Sequence, residues 1–157
     1  MEMPKATPTH EFLRQFAGDW VSRPDDVHPE PVRESAVMIG DMFVQITGKQ
    51  TSGSENSGGV PMVYQFTLGF DPEKGKVIGT FIGNMMAMMW QYEGDYDADA
   101  NALVLFAHGP RFDGEPGTAR YRDTLTLHPD GTRTLESATE QPDGTFHRFM
   151  FATYDRA

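Results

Sequence analysis

The chain has no cysteine, which excludes disulfide bridges and thiolate catalysis. No apolar run approaches the ~20 residues that a membrane-spanning helix needs. Basic residues are scarce: 13 Lys and Arg stand against 23 Asp and Glu, for a formal net charge of -10. That imbalance opposes binding to nucleic-acid phosphates and anionic lipid, so neither nucleic acid nor membrane is expected as a partner. The opening Met1-Glu2-Met3-Pro4-Lys5 lacks a basic segment followed by an apolar one. No signal peptide is therefore expected, and a cytoplasmic bacterial-type protein is the default reading. Apolar content is modest too, at 38% of 157 residues. One domain of that length must then have a thin core, as in a sheet closed on itself.

What is present is a series of short apolar runs separated by Gly, Asp and Pro. Residues 1–8 are polar and are expected to form a disordered tail. Thr9 is placed to cap a short helix over 10–16, with Phe12, Leu13 and Phe16 on one face and Gly18 ending it. Asp19-Trp20-Val21 begins the first strand. Further strands are expected near 31–40, 42–52, 61–71, 76–84, 85–96, 101–108, 118–128, 132–141 and 145–155. The near-identical turns Pro129-Asp130-Gly131-Thr132 and Pro142-Asp143-Gly144-Thr145 make the last three strands a meander. The Ser/Gly/Asn-rich stretch 53–60 reads as a flexible loop. So high a strand content favours a closed barrel, because closure removes exposed edges.

Alternation with period two suggests the inward faces. Met62, Tyr64, Phe66, Leu68 and Phe70 share one side; Tyr121, Asp123, Leu125 and Leu127 share another, opposite Arg120 and Arg122. The methionine-rich segment Asn84-Met-Met-Ala-Met-Met-Trp-Gln-Tyr-Glu-Gly-Asp-Tyr96 puts Met86, Met88, Trp90 and Tyr92 on one side. Methionine is unbranched and polarizable and lines adaptable apolar space, so this segment reads as a wall facing a cavity. Arg120 and Arg122 read as part of an outer ion-pair ladder. The last strand carries aromatics on both faces, Phe146 and Tyr154 against Phe149 and Phe151, and its register is left open.

Two resemblances add to this. A short helix followed by Gly18-Asp19-Trp20 resembles the start of calycin barrels, the superfamily of lipocalins and fatty-acid-binding proteins. The resemblance implies that Trp20 plugs a closed end and that a basic residue on the last strand, here Arg156, packs over it. Beyond that, Gly69-Phe70-Asp71-Pro72, Gly79-Thr80-Phe81-Ile82-Gly83-Asn84-Met85-Met86, Trp90-x-Tyr92-x-Gly94, Gly109-Pro110, Thr118-Ala119-Arg120-Tyr121-Arg122-Asp123 and Phe149-Met150 follow in order. That series resembles the bacterial family called domain of unknown function 1579, over nearly the whole chain. It implies a calycin-like barrel and no particular activity.

Specific chemistry is sparse. Asp95, Asp97 and Asp99 have the first spacings of a calcium loop, but Ala100 stands where the sharp turn needs Gly and Phe106 where a bidentate Glu belongs. The five histidines show no tight ligand spacing. The strand from His147 to Arg156 is loosely similar in position to the axial-histidine strand of haem barrels related to nitrobindin, though its Gly, Trp and His context differs. No metal, haem or other cofactor is expected. Asp123 and Glu136 are the carboxylates within strands that burial would perturb.

The expected fold is therefore all-β, an antiparallel calycin-like barrel of about ten strands with a short N-terminal helix. The expected function is binding of a small apolar or amphipathic molecule in the interior by Tyr64, Phe66, Met86, Met88, Trp90, Tyr121, Asp123 and His147. Two alternatives stay open: an enzyme on a small hydrophobic substrate using Asp123 or His147 as acid or base, and a structural or homodimerisation module with a filled core.

Overall fold

The computed structural model describes residues 1–53 and 55–157. Ten antiparallel strands close into one barrel in the order β1-β10-β9-β8-β7-β6-β5-β4-β3-β2. They are β1 (Gly18–Ser22), β2 (Val32–Ile39), β3 (Phe43–Gln50), β4 (Val63–Asp71), β5 (Lys76–Gly83), β6 (Trp90–Asp97), β7 (Ala102–Pro110), β8 (Thr118–Leu127), β9 (Arg133–Glu140) and β10 (Phe146–Arg156). Every strand pairs with its neighbour in sequence, and β1 closes the ring on β10. The helix α1 (Pro8–Arg14) precedes them. No helix among the described residues is long and apolar enough to cross a membrane.

Three boundaries differ from the sequence reading. The helix is capped by Thr7, whose side chain accepts from the His10 backbone N–H while His10 Nδ1 accepts from the Thr7 N–H. This reciprocal cap and Pro8 at the first turn move the start two residues earlier than a Thr9 cap would. The helix then ends at Arg14 with Gln15 as its C-cap, so Gly18 opens β1 instead of stopping the helix. The strand expected over 85–96 begins only at Trp90; residues 85–89 form the loop from β5. The loop expected over 53–60 includes Ser54, which lies outside the described residues; Glu55–Ser57 is a 3-10 turn.

The closed end is built from α1 and the bases of the strands. Phe12, Leu13 and Phe16 are fully buried there, and Phe12 stacks on Tyr96 with ring centroids 4.3 Å apart. Trp20, 1% exposed, donates its indole N–H to the Phe16 carbonyl at 2.9 Å. Arg156, its register partner on β10, lies over the indole with the guanidinium carbon 3.9 Å from the ring centroid. The same guanidinium donates to the carbonyls of Ala17 at 2.6 Å and Gln15 at 2.7 Å, which ties the end of α1 to the last strand.

The outer wall carries the expected ion pairs. Arg120 meets Glu140 at 3.0 Å, and Glu136 lies 3.6 Å from Arg122 and 3.8 Å from Arg148. Glu136 therefore faces outward; it is not the buried carboxylate that the sequence suggested. In β10 the register shifts between Arg148 and Met150. This bulge explains why aromatics fall on both faces of that strand, since one extra residue reverses the alternation.

Trp20→Ala should lower the unfolding free energy by about 3–5 kcal/mol. Val27→Ala, at an exposed loop position, should change it by less than about 0.5 kcal/mol. Urea denaturation of both variants checks the contrast.

Candidate functional site

Above the closed end the barrel does not fill. An interior cavity of about 290 Å³ remains, open toward the loops that follow β1, β3, β5, β7 and β9. A broader and more open groove of about 700 Å³ crosses the outside of β5 to β8, lined by Lys76, Gln91, Glu93, Asp95 and Arg120. The interior space is the better-formed site, because its walls are continuous strand faces and largely apolar.

Its floor is polar. Arg133 on β9 donates to Glu34 Oε1 on β2, and the Tyr64 hydroxyl on β4 donates to Glu34 Oε2. Glu34 and Arg133 are 6% and 3% exposed. The Arg133 guanidinium also lies 4.2 Å from the Tyr154 ring centroid and 4.9 Å from that of Trp20. Both Arg133 and Arg156 thus lie over the Trp20 ring. Burial is the main cause that pushes the Tyr154 hydroxyl up to about 12, with the nearby Glu34 charge adding to it. Burial likewise raises Tyr64 well above its ordinary value, with Tyr154 and Glu34 contributing. Both phenols stay neutral; Tyr64 donates, and the Tyr154 oxygen accepts from Tyr64 and Arg133. Tyr64 reaches Glu34 by lying against the backbone of Gly48 on β3, where an added Cβ would come within 2.2 Å of its ring.

The walls are aromatic. Phe66, Phe81 and Tyr92 stand edge to face, with centroids 5.7 and 5.3 Å from Phe66. Among them Asp123 on β8 accepts from the Tyr92 hydroxyl at 2.6 Å, and Ser137 on β9 also hydrogen-bonds its carboxylate. Asp123 is half-buried, and the surface it keeps faces the cavity. Desolvation raises its carboxyl above the ordinary 3.8, against the two hydrogen bonds, which lower it.

The mouth is a second aromatic cluster. Trp90 is 7% exposed and sits edge-on to Tyr121 at 5.3 Å. Its ring lies flat on Gly109 of β7, where a Cβ would meet it at 2.1 Å, and its N–H points to Met86 Sδ at 2.9 Å. The Tyr121 hydroxyl donates to the Pro110 carbonyl at 2.6 Å. Phe112 and the bulged Phe149 complete the rim.

Of the residues singled out from sequence, Tyr64, Phe66, Met86, Trp90, Tyr121 and Asp123 line this cavity. Met88 does not. It belongs to the 85–89 loop and packs against the Trp90 cluster from outside the cavity, because strand alternation does not extend into that loop. His147 does not either. It is exposed at the upper end of β10, opposite Thr139 and beyond the cavity lining. Sequence reasoning missed Glu34 and Arg133. The available signal was alternation: Val32, Glu34, Ala36 and Met38 share one face of β2, and Arg133, Leu135 and Ser137 one face of β9. A charge inside an apolar alternating face marks a buried partner.

Among the described residues, no group of three or more His, Cys, Asp or Glu side chains is placed to hold a metal ion. The Asp95–Asn101 run is the end of β6 and the hairpin turn after it, in which the Asp97 carboxylate accepts from the Asp99 and Ala100 N–H groups.

The sequence profile of a family described as "Protein of unknown function (DUF1579)" matches residues 5–156. The chain belongs to this family. No curated protein matches it. For this DUF1579 member, the barrel and its cavity are therefore the main guide to function.

Glu34→Ala should destabilise the protein by about 3–5 kcal/mol, because it leaves the Arg133 charge buried and unpaired. Thermal unfolding checks this. Asp123 has the opposite sign. Its folded value lies above 3.8, so ionisation penalises the folded state, and the penalty grows as pH rises from 3.8 through the folded value. Asp123→Asn should therefore raise the melting temperature at neutral pH. That gain should disappear below about pH 3.8 in a pH series of melting curves.

Proposed function

We propose that this chain is a binding protein whose barrel interior holds one small apolar or amphipathic molecule. The observation that carries the reading is the cavity: about 290 Å³, walled by Phe66, Phe81, Tyr92, Trp90 and Tyr121, with polar groups at the floor, at Asp123 and Ser137, and at the rim. Few, placed polar groups in an apolar space are how small-molecule sites fix orientation. The flexible thioethers of Met62, Met85, Met86 and Met150 around the mouth accommodate several ligand shapes.

The same cavity speaks against a filled structural module. The enzyme alternative keeps only Asp123, since His147 lies away from the cavity. The buried Trp20 under Arg156 is the arrangement that a calycin relationship implies, and it supports calycin membership as part of this proposal. A cytoplasmic setting belongs to the same proposal and rests on the acidic, cysteine-free composition.

A neutral environment-sensitive dye should bind with an affinity on the order of micromolar, about -8 kcal/mol. In a folded Trp90→Ala protein the affinity should fall by more than in Met86→Ala, because the indole offers the larger rigid surface. Fluorescence titration reads both. Unchanged binding in Trp90→Ala would place the site elsewhere.

A further inference from the structure

The charges inside the barrel do not balance. Glu34 is neutralised by Arg133. Among the described residues, Asp123 has no such partner. Arg133 lies four residues from Ser137, the register partner of Asp123, or about 13 Å along β9. Among the described residues, the other groups that titrate or carry charge within the cavity walls and floor are Tyr92 on β6, Tyr64 on β4, Tyr121 on β8, Tyr154 on β10 and the Glu34–Arg133 pair itself. None of these supplies a free cation. At the rim, Arg23 is already paired with Asp155 at 2.7 Å and His28 lies 3.4 Å from Asp25, while Asp25 and Glu30 bring negative charge.

We propose that the occupant is a cation, a small apolar or aromatic amine whose ammonium group lies against the Asp123 carboxylate. This rests on the reading of the barrel as a binding cavity and names the chemical class of its ligand. Three features converge. The carboxylate keeps acceptor capacity beyond its bonds from Tyr92 and Ser137, since an ionised carboxylate has about four lone-pair sites. Tyr92, Tyr121, Phe66 and Phe81 line the same cavity as the carboxylate, and ring faces attract an alkylammonium. The chain's net charge of -10 concentrates cations near the mouth and repels anions. Burial raises the Asp123 carboxyl above its ordinary value, and an ammonium against it favours the ionised form.

The test is calorimetric titration of the full chain with n-octylamine, n-octanol and n-octanoate, which share one tail and differ in head-group charge. At pH 7.5 octylamine should bind about tenfold more tightly than octanol, with octanoate weakest. In Asp123→Asn that preference should vanish, octylamine binding falling to the level of octanol binding in the same variant. In the wild-type protein, lowering the pH toward 4 should weaken octylamine and leave octanol unchanged, a readout that stands even where the variant fails to fold. If octanol matches octylamine, or the preference survives in folded Asp123→Asn, the cation assignment is overturned and the cavity reading stands. If none of the three binds, the cavity reading is overturned with it.

Discussion

The structure depends on how Trp20 is held at the closed end of the barrel. An indole buried among strand bases has one polar atom to satisfy and two faces to cover. Its N–H goes to the Phe16 carbonyl, Arg156 covers it within 3.9 Å, and Arg133 approaches within 4.9 Å. Each guanidinium has a second task. Arg156 holds the Gln15 and Ala17 carbonyls just past α1, so the helix, the first strand and the last strand are fixed together across 139 residues or more of sequence. Arg133 reaches Glu34, so β9 and β2, which are not neighbours in the sheet, are joined through the interior. Closing a sheet requires its first and last strands to meet in one register, and this node supplies the contacts that select it.

The position of the cavity follows from the same arrangement. Packing is dense from α1 up to the Glu34–Arg133 pair, where Leu68, Leu103 and Leu105 fill the base. Above the pair the strands lean on aromatic rings in edge-to-face contact, which leaves gaps that interdigitated aliphatic chains would close. Asp123 sits at this level. A carboxylate in such a place raises the free energy of the empty protein, and a ligand that compensates it lowers that free energy by the same route. On the proposed reading, stability and binding are coupled through this one residue.

Much of this was legible in the sequence. Turn chemistry set the meander, and period-two alternation assigned the inward faces of β4 and β8 correctly, because each strand has one buried and one solvated side. Reading failed where the period breaks. Residues 85–89 carry the composition of a wall but follow Gly83 into a loop, so Met88 falls outside the cavity. The bulge at Arg148–Met150 leaves β10 unreadable by alternation. Glu34 and Arg133 lie 99 residues apart, and nothing local in either segment names its partner. The helix start was missed because His10, a side chain seldom used in a cap, closes the reciprocal bond with Thr7.

The most direct measurement of the central claim is a methyl NMR titration of protein labelled at its 10 methionines with a neutral apolar ligand. Met62, Met85, Met86 and Met150 line the interior cavity, whereas Met89 lines the outer groove and Met38 packs against the closed-end core. Shifts confined to the first four and to their close neighbours, with Met89 and Met38 unmoved, are the predicted result. Shifts centred on Met89, or no saturable shift at any of the four, would contradict a ligand held inside the barrel.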